Sequence, residues 1–367
     1  GMNSVESAGG RLGAVLSSPR GGMVQLDRHG PWLATTPTLV RRVLMDTADF
    51  DFPANVSRSS DLSGSTGESR SGHTIFAPLS PDQVAAGAAT FAEEWDSAVA
   101  DHARLGDGAP YDAMVLLRRP VARSTTAAVL PGLTTTQRDR VGDLTLNWID
   151  ALGPVIAARR PPRRWSRLRT REVRSRGALE DYLDAIPNVD SASQVATMLA
   201  AGIQVPIAAG AFLLAWLAQH GGDGVDPADA VWETLRLTPP TWITARITTR
   251  EVDLEGTAIP QGRVVFVSPL LLGRSTDLVP GNPETLSSFD PDRWKDRSRR
   301  PGAWLPFGAG PHACPGRSLG TAQLLTLARW ALSRKMTLSE AVSIDQSRGI
   351  FPAPCRFTVA PRWELPS

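Results

Sequence analysis

The chain has two cysteines, and one of them sits where it could do chemistry. Cys314 lies in Trp304-Leu305-Pro306-Phe307-Gly308-Ala309-Gly310-Pro311-His312-Ala313-Cys314-Pro315-Gly316-Arg317, ahead of an apolar stretch from Ser318 to Arg334 that reads as a helix. A thiolate is the form of cysteine that binds a metal, and the free N–H groups and partial positive charge of a helix N-terminus favour it. Gly308, Gly310 and Gly316 permit positive φ, so the backbone can curl tightly round the sulfur. N–H groups aimed at the sulfur would tune its donor strength. Phe307 and His312 complete the spacing F-G-x-G-x-H-x-C-x-G. The competing reading is a buried structural thiol beside a Gly/Pro turn. Cys355, on an expected strand, carries no chemistry, and the chain has no CxxC zinc pattern or disulfide framework.

Other groups could support such a site. Glu233 and Arg236 are three residues apart, so they share a helix face and their charges can meet. Arg293, in Phe289-Asp290-Pro291-Asp292-Arg293-Trp294, is a third partner, and a buried network of this kind is satisfied only when complete. The apolar stretch Ser191 to His220 contains Ala201-Gly202-Ile203-Gln204-Val205-Pro206. Gln204 cannot ionise and Val205 has no hydroxyl. Pro206 lacks an N–H, so the Gly202 carbonyl loses its helical partner. The helix is expected to kink there, leaving that carbonyl to hold a water.

The cysteine loop resembles that of the cytochrome P450 family, the haem-thiolate monooxygenases, in which a thiolate pushes electron density onto haem iron. The resemblance covers roughly residues 30 to 365 and is strongest from Glu233 to Leu319. It implies a mainly α fold with a small β region, the cytochrome P450 fold, as a single domain over 23–367 after a flexible N-terminus at 1–22. The implied cofactor is haem b (iron protoporphyrin IX), with Cys314 as its metal ligand and Phe307, Gly308 and Gly316 shaping the loop. His312 and Arg246 would contact the haem propionates, a guanidinium being suited to carboxylates. His73, in His73-Thr74, would do the same, although Ala77 stands where relatives have an arginine. Gly202 would leave room over the iron. Gln204 and Val205 would stand on the oxygen side, where the family carries an acid and an alcohol.

The activity implied is oxidation of an apolar small molecule, free or carrier-tethered, in bacterial secondary metabolism. Electrons would come from a ferredoxin and its ferredoxin reductase. The missing acid and alcohol keep two alternatives open: a peroxide-driven peroxygenase, and a catalytically impaired accessory protein for another biosynthetic enzyme.

The elements that must position these residues read clearly in places. Pro81 to His102, Asp112 to Ala128, Thr134 to Ala157 and Ser191 to His220 have helical apolar spacing. Met23 to Leu26 and Pro31 to Ala34 form an expected hairpin. Met336 to Leu338 and Cys355 to Val359 are expected strands. Ala54 to Gly72 has few apolar residues and reads as an ordinary disordered surface loop or, from its position in the family, as the loop that covers the cavity. Residues 159–176 hold nine arginines against one acid, Glu172, and read as a solvated helix face or as a docking site for an anionic partner. Arg297, Arg299, Arg300 and Arg317 flank the cysteine loop and would suit an acidic ferredoxin. Net charge is +2, too small to imply nucleic acid. With no secretory signal and no charge-free apolar run expected to span a bilayer, the reading is cytoplasmic, with no membrane contact.

Overall fold

Helices begin where the sequence supplies caps. The computed structural model describes residues 5–53, 75–106, 108–347 and 349–361. The helix Pro81–Ala103 starts at Ser80, whose hydroxyl accepts from Gln83 N while the Gln83 side chain accepts from Ser80 N. Thr134 and Gln137 make the same reciprocal box before Thr135–Ala157. Ser166, Ser191 and Asp226 cap Arg167–Asp184, Ala192–His220 and Pro227–Leu237. Each cap satisfies backbone N–H groups that have no partner within the helix.

Two expectations need correction. The single helix expected over 112–128 is two, Ala113–Leu116 and Arg118–Val129. Pro120 has no N–H to offer the Leu116 carbonyl, which weakens the join. Within the expected flexible N-terminus, Gly10–Leu16 is a helix, with Val5, Leu12 and Val15 fully buried. The Gln346 amide ties it down: its oxygen accepts from Leu12 N, and its nitrogen donates to the carbonyls of Ala8 and Gly9. Three apolar side chains and one distant amide hold a stretch that its Ser/Gly content alone would leave loose.

The helix Ala192–His220 runs through the main core, where Ala211, Phe212, Leu213, Leu214 and Ala215 are fully buried. A smaller cluster of Val141, Leu144, Trp148, Leu179, Leu183 and Leu199 joins Thr135–Ala157, Arg167–Asp184 and the start of this central helix. The helix is long and apolar enough to cross a membrane, contrary to expectation, yet most of its apolar window is buried inside the protein. An all-round apolar helix of this kind reads as the core of a large domain.

The main sheet has five strands in the order Met23–Gln25, Trp32–Ala34, Val264–Val267, Thr244–Thr248, Phe50–Asp51. Met23–Gln25 and Trp32–Ala34 form the expected hairpin, with Met23 opposite Ala34. Phe50–Asp51 pairs antiparallel with Thr244–Thr248, setting Asp51 opposite Ile247. That register carries Phe52 next to Arg246. A second sheet joins Arg356–Pro361 to Tyr111–Asp112 and Arg334–Leu338, close to the expected C-terminal strands.

Candidate functional site

The loop that presents Cys314 is anchored from behind by tryptophan. Trp304 is fully buried, donates its indole N–H to the Leu235 carbonyl (3.0 Å) and packs edge-on against Trp232. The chain then turns through left-handed conformations at Leu305 (φ 60°), Gly308 (φ 74°) and Gly310 (φ 76°). A Cβ on Gly310 would lie 2.6 Å from the Leu44 carbonyl oxygen, so this glycine also permits close approach to the helix Pro37–Met45. Cys314 N donates to the Phe307 carbonyl (2.8 Å), closing the loop. Gly316 stands at the N-cap of Arg317–Leu332, with no side chain to cap it.

Cys314 is a free, solvent-accessible thiol set in a protein wall. Burial pushes its pKa up, while the Gly316 N–H and the Arg317 charge oppose that shift. The expected N–H aimed at the sulfur is present.

Behind the loop, Glu233, Arg236 and Arg293 come together. Arg236 Nε donates to Glu233 Oε1 (2.7 Å), and Arg293 Nε donates to Glu233 Oε2 (2.9 Å). Asp290 N and the Trp294 indole N–H also donate to this carboxylate. Arg236 spends its remaining donors on the carbonyls of Gly273, Leu286 and Ser288, and Arg293 on those of Pro280, Thr285 and Ser288. Burial pushes the Glu233 carboxyl up, but the two guanidiniums prevail and hold it below the ordinary range. This network fixes Phe289–Trp294 to Pro227–Leu237, the frame on which the cysteine loop rests.

Arg246 and His312 meet across Phe52. The Arg246 guanidinium lies 4.0 Å from the Phe52 ring centroid, and the His312 ring packs edge-on against the same ring at 4.7 Å. Arg246 is 5% exposed, and its Nη1 donates to Thr244 Oγ1 (3.1 Å) and the Ala245 carbonyl (2.9 Å). Burial lowers its pKa to about 10, against an opposing pull from Asp51. Burial, then Arg246, lower the pKa of His312. Phe52 and Asp51 carry no chemical signature in the sequence, and only strand pairing brings them here.

On the central helix, Ala201 and Val205 stand four residues apart on one open face, with Val205 38% exposed. Gln204 and Gly202 are half-buried. The carbonyl freed by Pro206 accepts the Thr125 hydroxyl (2.8 Å), donated from Arg118–Val129. A Cβ on Gly202 would come within 3.0 Å of Thr125 Cγ2, so the glycine lets the two helices close on this bond. Thr125 was not singled out in the sequence, because nothing local links it to Gly202. His73 lies outside the described residues.

A haem fits this donor set. Among the described residues no group of three or more His, Cys, Asp or Glu could hold a bare metal ion. Cys314 offers a single sulfur donor at the N-terminus of Arg317–Leu332. The buried guanidinium of Arg246 would recover electrostatic stabilisation from a carboxylate arm.

Known proteins share part of this sequence and its fold. A family model described as Cytochrome P450 matches residues 228–337. Over 107 residues the chain is 38% identical to cyclooctat-9-en-7-ol 5-monooxygenase of Streptomyces melanosporofaciens, covering 28% of this chain and 22% of that protein. Over 111 residues it is 35% identical to pentalenene oxygenase of Streptomyces avermitilis, covering 28% and 24%. The matched stretch thus spans about a quarter or less of these relatives. The fold extends much further: a 6-coordinated cytochrome P450 from Thermus thermophilus superposes with a TM-score of 0.66 at 20% identity, covering 90% of this chain and 92% of that one. Residues 228–337 thus carry the cytochrome P450 family's sequence signature, and the chain as a whole has the cytochrome P450 fold.

Proposed function

We propose that the chain binds haem b through Cys314 and oxidises an apolar small molecule. The carrying observation is the convergence of a free thiol at a helix N-terminus with a buried guanidinium and an imidazole that share the Phe52 ring. Haem held there would supply oxygen activation and transfer to carbon. The Gly316 N–H and the Arg317 charge both favour the ionised sulfur. Arg246 and His312 would orient the propionates, with Phe307, Gly308 and Gly316 shaping the loop behind the sulfur. Ala201, Gly202 and Val205 would leave apolar room for a substrate, and Gln204 would offer an amide in place of an acid. The names of the cyclooctat-9-en-7-ol and pentalenene oxygenases suggest apolar substrates for this chain too.

Electrons would arrive through a ferredoxin and its reductase. Exposed Arg297, Arg300 and Arg317 and half-buried Arg299 provide the positive surface. The test is turnover of a panel of apolar hydrocarbons and their alcohols by haem-loaded protein with ferredoxin, reductase and NAD(P)H. Oxygenated product supports the reading; failure of every apolar ligand to perturb the haem absorption contradicts it.

One observation favours a second reading. Val205 brings no hydroxyl to the open face, and the Gly202 carbonyl is engaged by Thr125. Protons for oxygen reduction then lack a side-chain source on this stretch of helix, and peroxide, already reduced and protonated, would bypass the need. Product formed with hydrogen peroxide alone, and none with the reductase system, selects this reading over the first.

A further inference from the structure

The helix Arg167–Asp184 is charged against its own dipole. Arg167, Arg169 and Arg171 crowd its N-terminal end with no acid in the first turn, while Glu180, Asp181 and Asp184 sit at its C-terminal end. Cations at a helix N-terminus and anions at its C-terminus are both unfavourable. Like charges add to this: Arg167 and Arg171 are four apart, and Arg171 and Arg174 three apart. The one acid nearby gives little relief. Glu172 is turned inward and buried, 3.8 Å from Arg169 and 3.6 Å from Arg176, with its Oε2 unbonded.

The asymmetry extends to the whole chain. Residues 159–176 carry +8, so a chain of net +2 is −6 everywhere else. In the middle of this positive stretch Trp165 is 84% exposed, with the Arg164 guanidinium over its ring at 5.1 Å. Leu168 and Val173 are exposed beside it. Trp165, Arg167, Thr170, Arg171, Arg174 and Ser175 line a shallow depression of about 350 Å³. Local conflicts of this kind cluster where a surface serves binding rather than folding.

We propose that this face docks an acidic protein partner, one that sets carboxylates against Arg167, Arg171 and Arg174 and an apolar side chain against Trp165. Charge complementarity fixes the sign of the partner. Exposed tryptophan and arginine are the side chains that dominate binding energy at protein interfaces. The concave, partly apolar surface accepts a protruding side chain, which neither a flat bilayer nor a phosphate backbone provides.

The probe is a labelled helical peptide with glutamates along one face and leucines along the other, titrated onto the intact chain by fluorescence anisotropy. Binding should weaken as salt is raised. The variant R167E/R171E/R174E should lose at least about tenfold in affinity, since each pair turns repulsive. W165A should weaken binding while leaving its salt dependence in place. Because the reversal at 167 agrees with the helix dipole and the triple variant adds no like-charged pair, it should unfold no more easily than wild type, which separates lost docking from lost folding. Wild-type affinity in the triple variant overturns the proposal. So does tighter binding of wild type to phosphatidylglycerol vesicles, or to single-stranded RNA, than to the peptide.

Discussion

Thr125 donates its hydroxyl to a carbonyl that Pro206 has left without a helical partner. Replacing it with valine keeps the shape and strands the Gly202 carbonyl. T125V is expected to lose about 1–3 kcal/mol of stability in urea unfolding, with T125S recovering most of it. Arg246 makes the opposite case. Its burial already costs the protein, as its lowered pKa of about 10 records. R246L should therefore cost the haem-free protein little stability, since an apolar group in place of a buried charge is often neutral, yet sharply reduce the haem retained on gel filtration. Equal retention in wild type and R246L would remove Arg246 from the site. Cys314, His312 and Arg246 were legible in the sequence because each belongs to a spaced motif. Phe52 and Thr125 were not. One reaches the site through strand register and the other through helix packing, and neither leaves a local trace.

At the scale of elements, the frame behind the cysteine loop rests on one carboxylate. Glu233 receives hydrogen bonds from Arg236, Arg293, Asp290 N and Trp294. E233Q leaves two buried guanidiniums without a counter-charge, and the expected loss is about 3–5 kcal/mol by chemical denaturation. A second clasp has a pH signature. Asp49 accepts from Arg250 (2.7 and 2.9 Å) and Arg42 (2.9 Å), tying the end of the main sheet to Pro37–Met45. Arg250 first, then Arg42, hold its carboxyl down at about 2. The folded value lies below the unfolded value of about 4, so the clasp contributes fully above that pH and is lost as pH falls toward about 2. Stability measured against pH should show wild type and D49N converging across that window. A constant gap would place the effect elsewhere. The helices beginning at Pro81, Thr135 and Ala192 were legible from their apolar period. The break between the helices either side of Leu117 and the docked N-terminal helix were not, since one depends on a single missing N–H and the other on Gln346, far along the chain.

For the whole molecule, the resemblance changes character along the chain. The family model covers residues 228–337, which hold the Glu233 network, Arg246, His312 and Cys314. The architecture nevertheless superposes over 90% of the chain at 20% identity. The backbone round a thiolate donor tolerates few sequences, because it needs glycines at fixed turns and charges in a closed network. The helices ahead of it need only apolar surfaces of suitable volume, which many sequences supply. The fold and the cysteine loop are thus legible in the sequence, whereas the bond from Thr125 to the Gly202 carbonyl arises from helix packing alone. All of this turns on sulfur at position 314 serving as the iron ligand. The direct measurement is the reduced carbon monoxide difference spectrum of haem-reconstituted protein beside C314S. The account predicts the long-wavelength band of thiolate-bound haem in wild type and its loss in C314S. The same spectrum from both proteins, or no haem taken up by either, would contradict it.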